Sequence, residues 1–214
     1  MKSQSAKLLD LFFARRSIRK FKSKRVSESI VKKIVDVGQR APSACNLQTY
    51  SIVWVRDAQK KRQVWDACGV PKGIREAPVV FVICADVRRL ARVLDYLGSD
   101  HCLRHGYGVQ LKILSVVDAS LMAENMVMAA ECLGLGSVFI GSALANSKVT
   151  EVLKLPKGVL PLTLLCVGYP SEAPPVRPRW ALSSMLLVDQ YRDQSNTEMK
   201  QFLEHMLDEL ARPG

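Results

Sequence analysis

Residues 115–141, SVVDASLMAENMVMAAECLGLGSVFIG, decide how the rest of the chain is read. Positions 115–133 are apolar around most of a helix's girth, and Gly134 closes them with the residue type that accepts a left-handed C-terminal turn. Residues 137–140 then have the composition of a strand, with Gly141 just beyond. A helix so uniformly apolar belongs at the centre of a core or in a subunit interface. Asp118, Glu124, Asn125 and Glu131 exclude a bilayer-spanning helix. The glycines of 134–141 resemble a dinucleotide fingerprint, but that motif runs strand, glycines, helix, and here a helix leads into a strand. A Rossmann site is therefore rejected, and no P-loop is present. Two readings survive: a turn that sets the amides of Ile140 and Gly141 against something flat or anionic, or a plain helix-to-strand turn.

Upstream, 78–85 (PVVFVICA) is a nearly unbroken apolar run of strand length, predicting a strand buried on both faces. TYSIVWV at 49–55 is β-branched and aromatic, hence another strand, and a helix over 58–67 separates the two. Ser27 is a plausible N-cap for a helix in which Ile30, Val31, Ile34, Val35 and Val37 recur at helical spacing until Ala41-Pro42. Residues 5–14 predict a short amphipathic helix with Leu8, Leu9, Phe12 and Phe13 on one side. Downstream, 146–155 reads as a short helix, 162–167 as a buried strand and 170–179 (PSEAPPVRPR) as extended chain. Residues 197–211 place Met199, Phe202, Leu203, Met206, Leu207 and Leu210 on one helical stripe. The glycine-rich stretch 98–110 reads as a mobile loop. The expected fold is α+β, a single domain over 1–214 with buried strands sandwiched by helices, and from about 175 an extended arm plus amphipathic helix.

The 214 residues are 48% hydrophobic and 24% charged, an ordinary globular composition. The net charge of +11 suits nucleic acid, a membrane surface or small anionic ligands, and does not choose among them. No uninterrupted apolar stretch of about 20 residues exists, so no transmembrane helix is expected. The apolar run 8–14 is broken by Asp10 and lacks a cleavage pattern, so no signal peptide is expected. The six cysteines form no C-x-x-C pair, and Cys84, Cys132 and Cys166 sit in apolar runs where a thiol behaves as a small buried hydrophobe. A cytoplasmic protein with reduced thiols is the expectation.

Four stretches carry candidate chemistry. Arg15-Arg16-Ser17-Ile18-Arg19-Lys20-Phe21 gathers four cations and a hydroxyl, and guanidinium forks match phosphate oxygens. In an extended segment Arg15, Ser17 and Arg19 alternate onto one side; a solvated basic face is the plainer alternative. The loop APSACNLQ at 41–48 offers Asn46 and Gln48, each able to donate and accept along a heterocycle edge, although turn chemistry alone explains its Pro, Ser and Asn. Arg177-Pro178-Arg179 presents two guanidiniums two residues apart, a second phosphate clamp or a basic linker. His101 and His105 flank Cys102, but a metal needs further ligands and the neighbouring glycines disfavour a helix there, so no metal is expected. No Ser–His–acid set is supported, which leaves the chemistry to a bound cofactor.

In this order RRSIRKF at 15–21, APSACNLQ at 41–48, residues 116–142 and the stretch from LKLPKG at 153 through RPR at 179 resemble the nitroreductase family of FMN-dependent NAD(P)H oxidoreductases. The similarity runs from about residue 8 to 190 and is nearest the NADPH-dependent, oxygen-insensitive branch. It implies a central, mostly antiparallel sheet flanked by helices, with the long helix at a homodimer interface and FMN between subunits. It implies that Arg15, Arg16, Ser17 and Arg19 contact the FMN phosphate, ribityl chain and pyrimidine edge, and that Pro42, Ser43, Asn46 and Gln48 reach the flavin of the other subunit. Phe139, Ile140 and Gly141 would lie along the isoalloxazine near N5, Arg177 and Arg179 on the phosphate, and Lys72 where the family often has a flavin-contacting lysine. No catalytic side chain is implied, because the flavin N5 does the chemistry. Cations near N1 and O2 favour the two-electron-reduced ring.

The function this implies is two-electron transfer from NAD(P)H to nitroaromatic, quinone or flavin acceptors by a ping-pong mechanism, with small-molecule acceptors and no nucleic-acid or membrane partner. A specialised flavoenzyme on the same scaffold, dehalogenase-like or flavin-fragmenting, is the neighbouring alternative. A basic nucleic-acid-binding protein is the distant one: no recognisable module is present, and aromatic residues are only 7% of the chain.

Overall fold

A computed structural model describes residues 4–100 and 108–211 of the protein. They divide into two compact units, Met1–Ala173 and Pro174–Gly214. In the first unit, β1 (Tyr50–Trp54), β2 (Val79–Asp86), β3 (Gly136–Ile140) and β4 (Val159–Gly168) form one sheet in the order β1-β2-β4-β3, antiparallel at every pairing. The α+β class, with an antiparallel sheet between helices, is the one that the sequence indicates.

β2 is buried along its whole length, as a run without polar alternation requires. Val79, Phe81, Ile83 and Ala85 meet α2 (Glu28–Gly38) and α5 (Val109–Cys132) on one face. Val80, Val82 and Cys84 meet the other core, with Val64 and Trp65 of α3 (Ala58–Ala67) and Val149 of α6 (Ser147–Val152). The β2–β4 register slips between Ile83 and Cys84, whose partners are Thr163 and Pro161, so Leu162 is the extra residue of a bulge. Pro161 has no N–H to give a ladder, and a bulge is one of the few strand positions that admit it.

The buried face of α5 is Ser115, Asp118, Ala119, Met122, Ala123, Met126, Val127, Ala129 and Ala130, the three-and-four spacing of one helical side. By length and composition alone this helix would suit a bilayer; half of its most apolar window is packed inside the protein, as in a core helix. Gly38 lets α2 lie close, since a Cβ there would stand 2.6 Å from Met126 Cγ.

Several expectations need correction. α5 starts at Val109, inside the stretch read as a loop. α4 (Arg88–Tyr96), which the periodicity does not reveal, carries three arginines and buries only Ala91. α1 (Gln4–Ala14) forms as expected, yet Leu8, Leu9, Phe12 and Phe13 are all exposed. Cys132 is exposed too, because it ends α5 on the outward side, whereas burial pushes the Cys84 and Cys166 thiols up to about 12. The second unit holds a single helical turn, α7 (Leu182–Met185), and α8 (Asn196–Ala211). His101, Cys102 and His105 lie outside the described residues.

Candidate functional site

The basic stretch leaves α1 and becomes a strip along the sheet. The Ile18 N–H donates to the Ser137 carbonyl (2.9 Å), and Ser17 bridges Ser137 in parallel. Phe21 then pairs with Pro170, and the Lys22 N–H donates to the Tyr169 carbonyl (2.8 Å). Ile18 and Phe21 anchor the strip, at 5% and 2% exposure. Both fit because Gly136 and Gly168, partners across β3 and β4, present no side chain. A Cβ on Gly168 would stand 2.9 Å from the Phe21 ring, and one on Gly136 would run into Ile18.

Anchors three residues apart break the two-residue alternation expected for Arg15, Ser17 and Arg19. Arg15, Arg16 and Ser17 are half-buried instead, and Arg19 and Lys20 are exposed. The Arg19 and Lys20 N–H groups both donate to Glu172 Oε1 (2.5 and 3.1 Å), a partner that the sequence does not reveal. The short turn Lys72–Glu76 lies beside them: a Cβ on Gly73 would be 3.2 Å from the Arg19 carbonyl. Lys72 itself is exposed at the start of that turn.

Glu131 occupies the last turn of α5, where its Oε1 is buried and has no hydrogen-bond partner. Burial pushes its carboxyl above the ordinary value, while Arg15 and Arg16 pull it back down. In the sequence Glu131 and Asp118 register only as signs against a membrane helix.

Asp118 organises the 41–48 loop. It is 1% exposed and accepts from the Ala44 N–H (2.9 Å), the Thr49 N–H (3.3 Å) and the Thr49 hydroxyl (2.7 Å). Cys45, Asn46 and Gln48 all take positive φ. The Gln48 side chain donates to Asn46 Oδ1 (3.3 Å), and its N–H donates to Ser43 Oγ (3.2 Å). Pro42 is exposed. From Asp118 to Glu131 the helix rises about 20 Å, so this loop and the arginine strip are anchored at separate points.

On β3, Phe139 is 40% exposed and lines a cleft of about 350 Å³ with Ser120, Ala123 and Glu124 of α5 and Thr163 of β4. The Ile140 carbonyl accepts from the Thr163 hydroxyl (3.1 Å), and around Gly141 a Cβ would meet nothing within 4 Å. Arg177 and Arg179 belong to the second unit, where Arg179 Nη1 donates to the carbonyls of Arg177 (2.9 Å) and Pro178 (3.0 Å). In the first unit, then, the arginine strip, the Lys72 turn, Glu131 and the start of β3 come together, and the 41–48 loop stands apart.

A strip of cations and amides beside an open strand end, on an antiparallel sheet packed under one long apolar helix, has parallels among known proteins. The chain is 35% identical over 185 residues to an oxygen-insensitive NADPH nitroreductase of Salmonella typhimurium, covering 86% of this chain and 74% of that protein. NfrA1 nitroreductase from B. subtilis superposes with a TM-score of 0.86 at 30% identity, over 92% of this chain and 80% of that one. An NADPH:FMN oxidoreductase from Vibrio harveyi, solved with NAD+, gives 0.82 at 28% identity, over 94% and 85%. The nitroreductase family model matches residues 13–169, a span that takes in the strip, the Asp118 loop and the end of β3, and the chain belongs to that family.

Proposed function

We propose that the protein is an FMN-dependent oxidoreductase, passing two electrons from NAD(P)H to nitroaromatic, quinone or flavin acceptors in a ping-pong cycle. The observation that carries this reading is the strip clamped on β3: Ser17 pairs with Ser137, and the strand runs on about 13 Å to the open backbone of Gly141. Cations at one end and a flat, open edge at the other suit a ring with a phosphate tail better than a bare phosphate.

The residues present fit FMN. Arg15, Arg16, Ser17 and Arg19 offer guanidinium, hydroxyl and amide donors for the phosphate, ribityl chain and pyrimidine edge, with Lys72 beside Arg19. Phe139, Ile140 and Gly141 would border the ring. When bound, FMN supplies the redox chemistry, accepting two electrons from NAD(P)H and handing them to an acceptor. The protein's own part is to bind, orient and neutralise: cations beside the pyrimidine edge stabilise the negative charge that reduction leaves there.

The exposed apolar residues of α5, Val109, Ile113, Val117 and Leu121, form a surface suited to a second copy of the chain. We therefore take the active form to be a homodimer, with Pro42, Ser43, Asn46 and Gln48 serving the partner's site. Arg177 and Arg179 remain candidates for phosphate contact, within a functional domain that includes the C-terminal arm.

The test is a visible spectrum of the purified protein, before and after added FMN, then under argon with NADH or NADPH. Flavin absorbance that survives gel filtration and bleaches on reduction is expected. A colourless protein that takes up no FMN overturns the proposal.

A further inference from the structure

α5 ends in a place poorly suited to an anion. The C-terminal turn of a helix carries the negative end of its dipole, so a carboxylate there is disfavoured even when exposed. Glu131 is half-buried in this turn, and its Oε1 is sealed from solvent without a donor. The strip explains how such a group is tolerated. Ser17 and Ile18 run parallel to β3 opposite Ser137, which carries Arg15 and Arg16 past Leu135 and Gly136, immediately after the Glu131 turn.

Among the elements packed around this turn, the charges acting on Glu131 are Arg15 and Arg16. α2 turns Lys32, Lys33 and Asp36 to solvent, Asp10 of α1 is exposed, and β3 carries no titratable side chain. One half-buried acid thus lies in the field of the two cations that the proposed function assigns to a phosphate.

We propose that Glu131 is a positioning residue for the phosphate clamp: its negative charge attracts Arg15 and Arg16 until a phosphate group claims them, and it then takes up a proton from water. The inference rests on the FMN reading above. Its logic is competition for two guanidiniums. A dianionic phosphate satisfies them better than a single carboxylate. Once their charge is spent, a half-buried carboxylate at a helix C-terminus is better off protonated. Binding of the phosphate tail is then linked to proton uptake, and affinity rises as pH falls through the range where Glu131 titrates.

The test is calorimetric titration of flavin-free protein with FMN, in pairs of buffers of different ionisation enthalpy, at several pH values from about 5 to 8. Native protein and Glu131→Gln are compared, with riboflavin as the ligand that lacks a phosphate. Because FMN is common to both proteins, its own phosphate ionisation cancels in the difference. On binding FMN, native protein should take up more protons than Glu131→Gln does, by roughly half a proton per chain or more. Riboflavin should produce no such difference. Glu131→Gln should also flatten the pH dependence of FMN affinity. Equal proton uptake in the two proteins, or an equal difference with riboflavin, overturns the inference while leaving the FMN reading intact. Failure of native protein to bind FMN overturns the FMN reading itself. Glu131→Ala carries the same expectation and serves if the Gln substitution prevents folding.

Discussion

Asp118 shows how one buried acid can set the shape of a loop far away in sequence, its contact with Ala44 spanning 74 positions. Its two oxygens take three donors from Ala44 and Thr49. Between these tethers Cys45, Asn46 and Gln48 hold left-handed backbone, unfavourable for side chains other than glycine or asparagine. Asp118→Asn keeps the volume but turns an amide donor toward groups that themselves donate. We expect a loss of about 2–4 kcal/mol in urea denaturation, together with weaker flavin binding as the loop relaxes. Unchanged stability would mean that the loop holds itself. Glycines offer a matched pair of tests. Gly136→Ala drives a methyl into Ile18, lifts the strip and should cost about 1–3 kcal/mol. Gly141→Ala meets no protein atom within 4 Å, so it should fold with native stability and lose FMN affinity only if the ring lies there. Thermal melts and fluorescence titration of both proteins separate structural from ligand contact.

At the scale of elements, what was legible followed local chemistry. Ser27, marked as a cap in the sequence, caps α2 by accepting from the Ile30 N–H, and Asn146, where the sequence starts a short helix, caps α6 through the Val149 N–H. The unbroken apolar run of β2 announced a strand covered on both faces, and the helix-glycine-strand order announced α5 and β3. What escaped was decided by tertiary contacts. The first turns of α5 follow a glycine-rich stretch that obscures its start, and α4 dilutes its apolar positions with arginines. The pairing of the 15–22 strip depends on Gly136 and Gly168, more than a hundred residues downstream, and nothing local to RRSIRKF reports them. The candidate site residues were legible as types, but the acids behind them were not, since a single carboxylate in an apolar helix carries no pattern. The cap of α8 supports a pH prediction. Ser195 and Glu198 exchange side-chain and backbone hydrogen bonds, and Arg192 grips the same carboxylate at 2.8 and 3.2 Å. These partners hold Glu198 down at about 2. A depressed carboxyl stabilises the fold above its unfolded value of 4.5, and that contribution fades as pH falls toward 2. Amide protection at the first turn of α8 should therefore fall on acidification in the native chain, and fall less in Glu198→Gln; identical profiles would remove the cap from the account.

At the scale of the whole molecule, the long helix presents an unmet demand for burial. Its inner side fills the core, yet Val109, Ile113, Val117 and Leu121, one helical stripe at four-residue spacing, are 69, 58, 47 and 42% exposed. Leu114 and Val116 widen that stripe, and none of these six carries a charge to keep it in water. The proposed function assigns it to a second copy of the chain, whose 41–48 loop would serve the first chain's flavin. The two proposals, dimer and shared flavin site, then stand on one surface and can be tested together. Val117→Lys with Leu121→Lys alters only side chains exposed in the single chain, so the doubly substituted protein should keep its far-ultraviolet spectrum. Placing lysines in an apolar interface costs several kcal/mol, which is two or more powers of ten in the dissociation constant. Sedimentation velocity should show the native chain as a dimer and the substituted chain as a monomer. FMN affinity should fall in step with dimer content as protein concentration is lowered, because half of each site is then missing. A substituted chain that becomes monomeric but binds FMN as tightly as the native protein would place every flavin contact within one chain and return the 41–48 loop to a purely structural role.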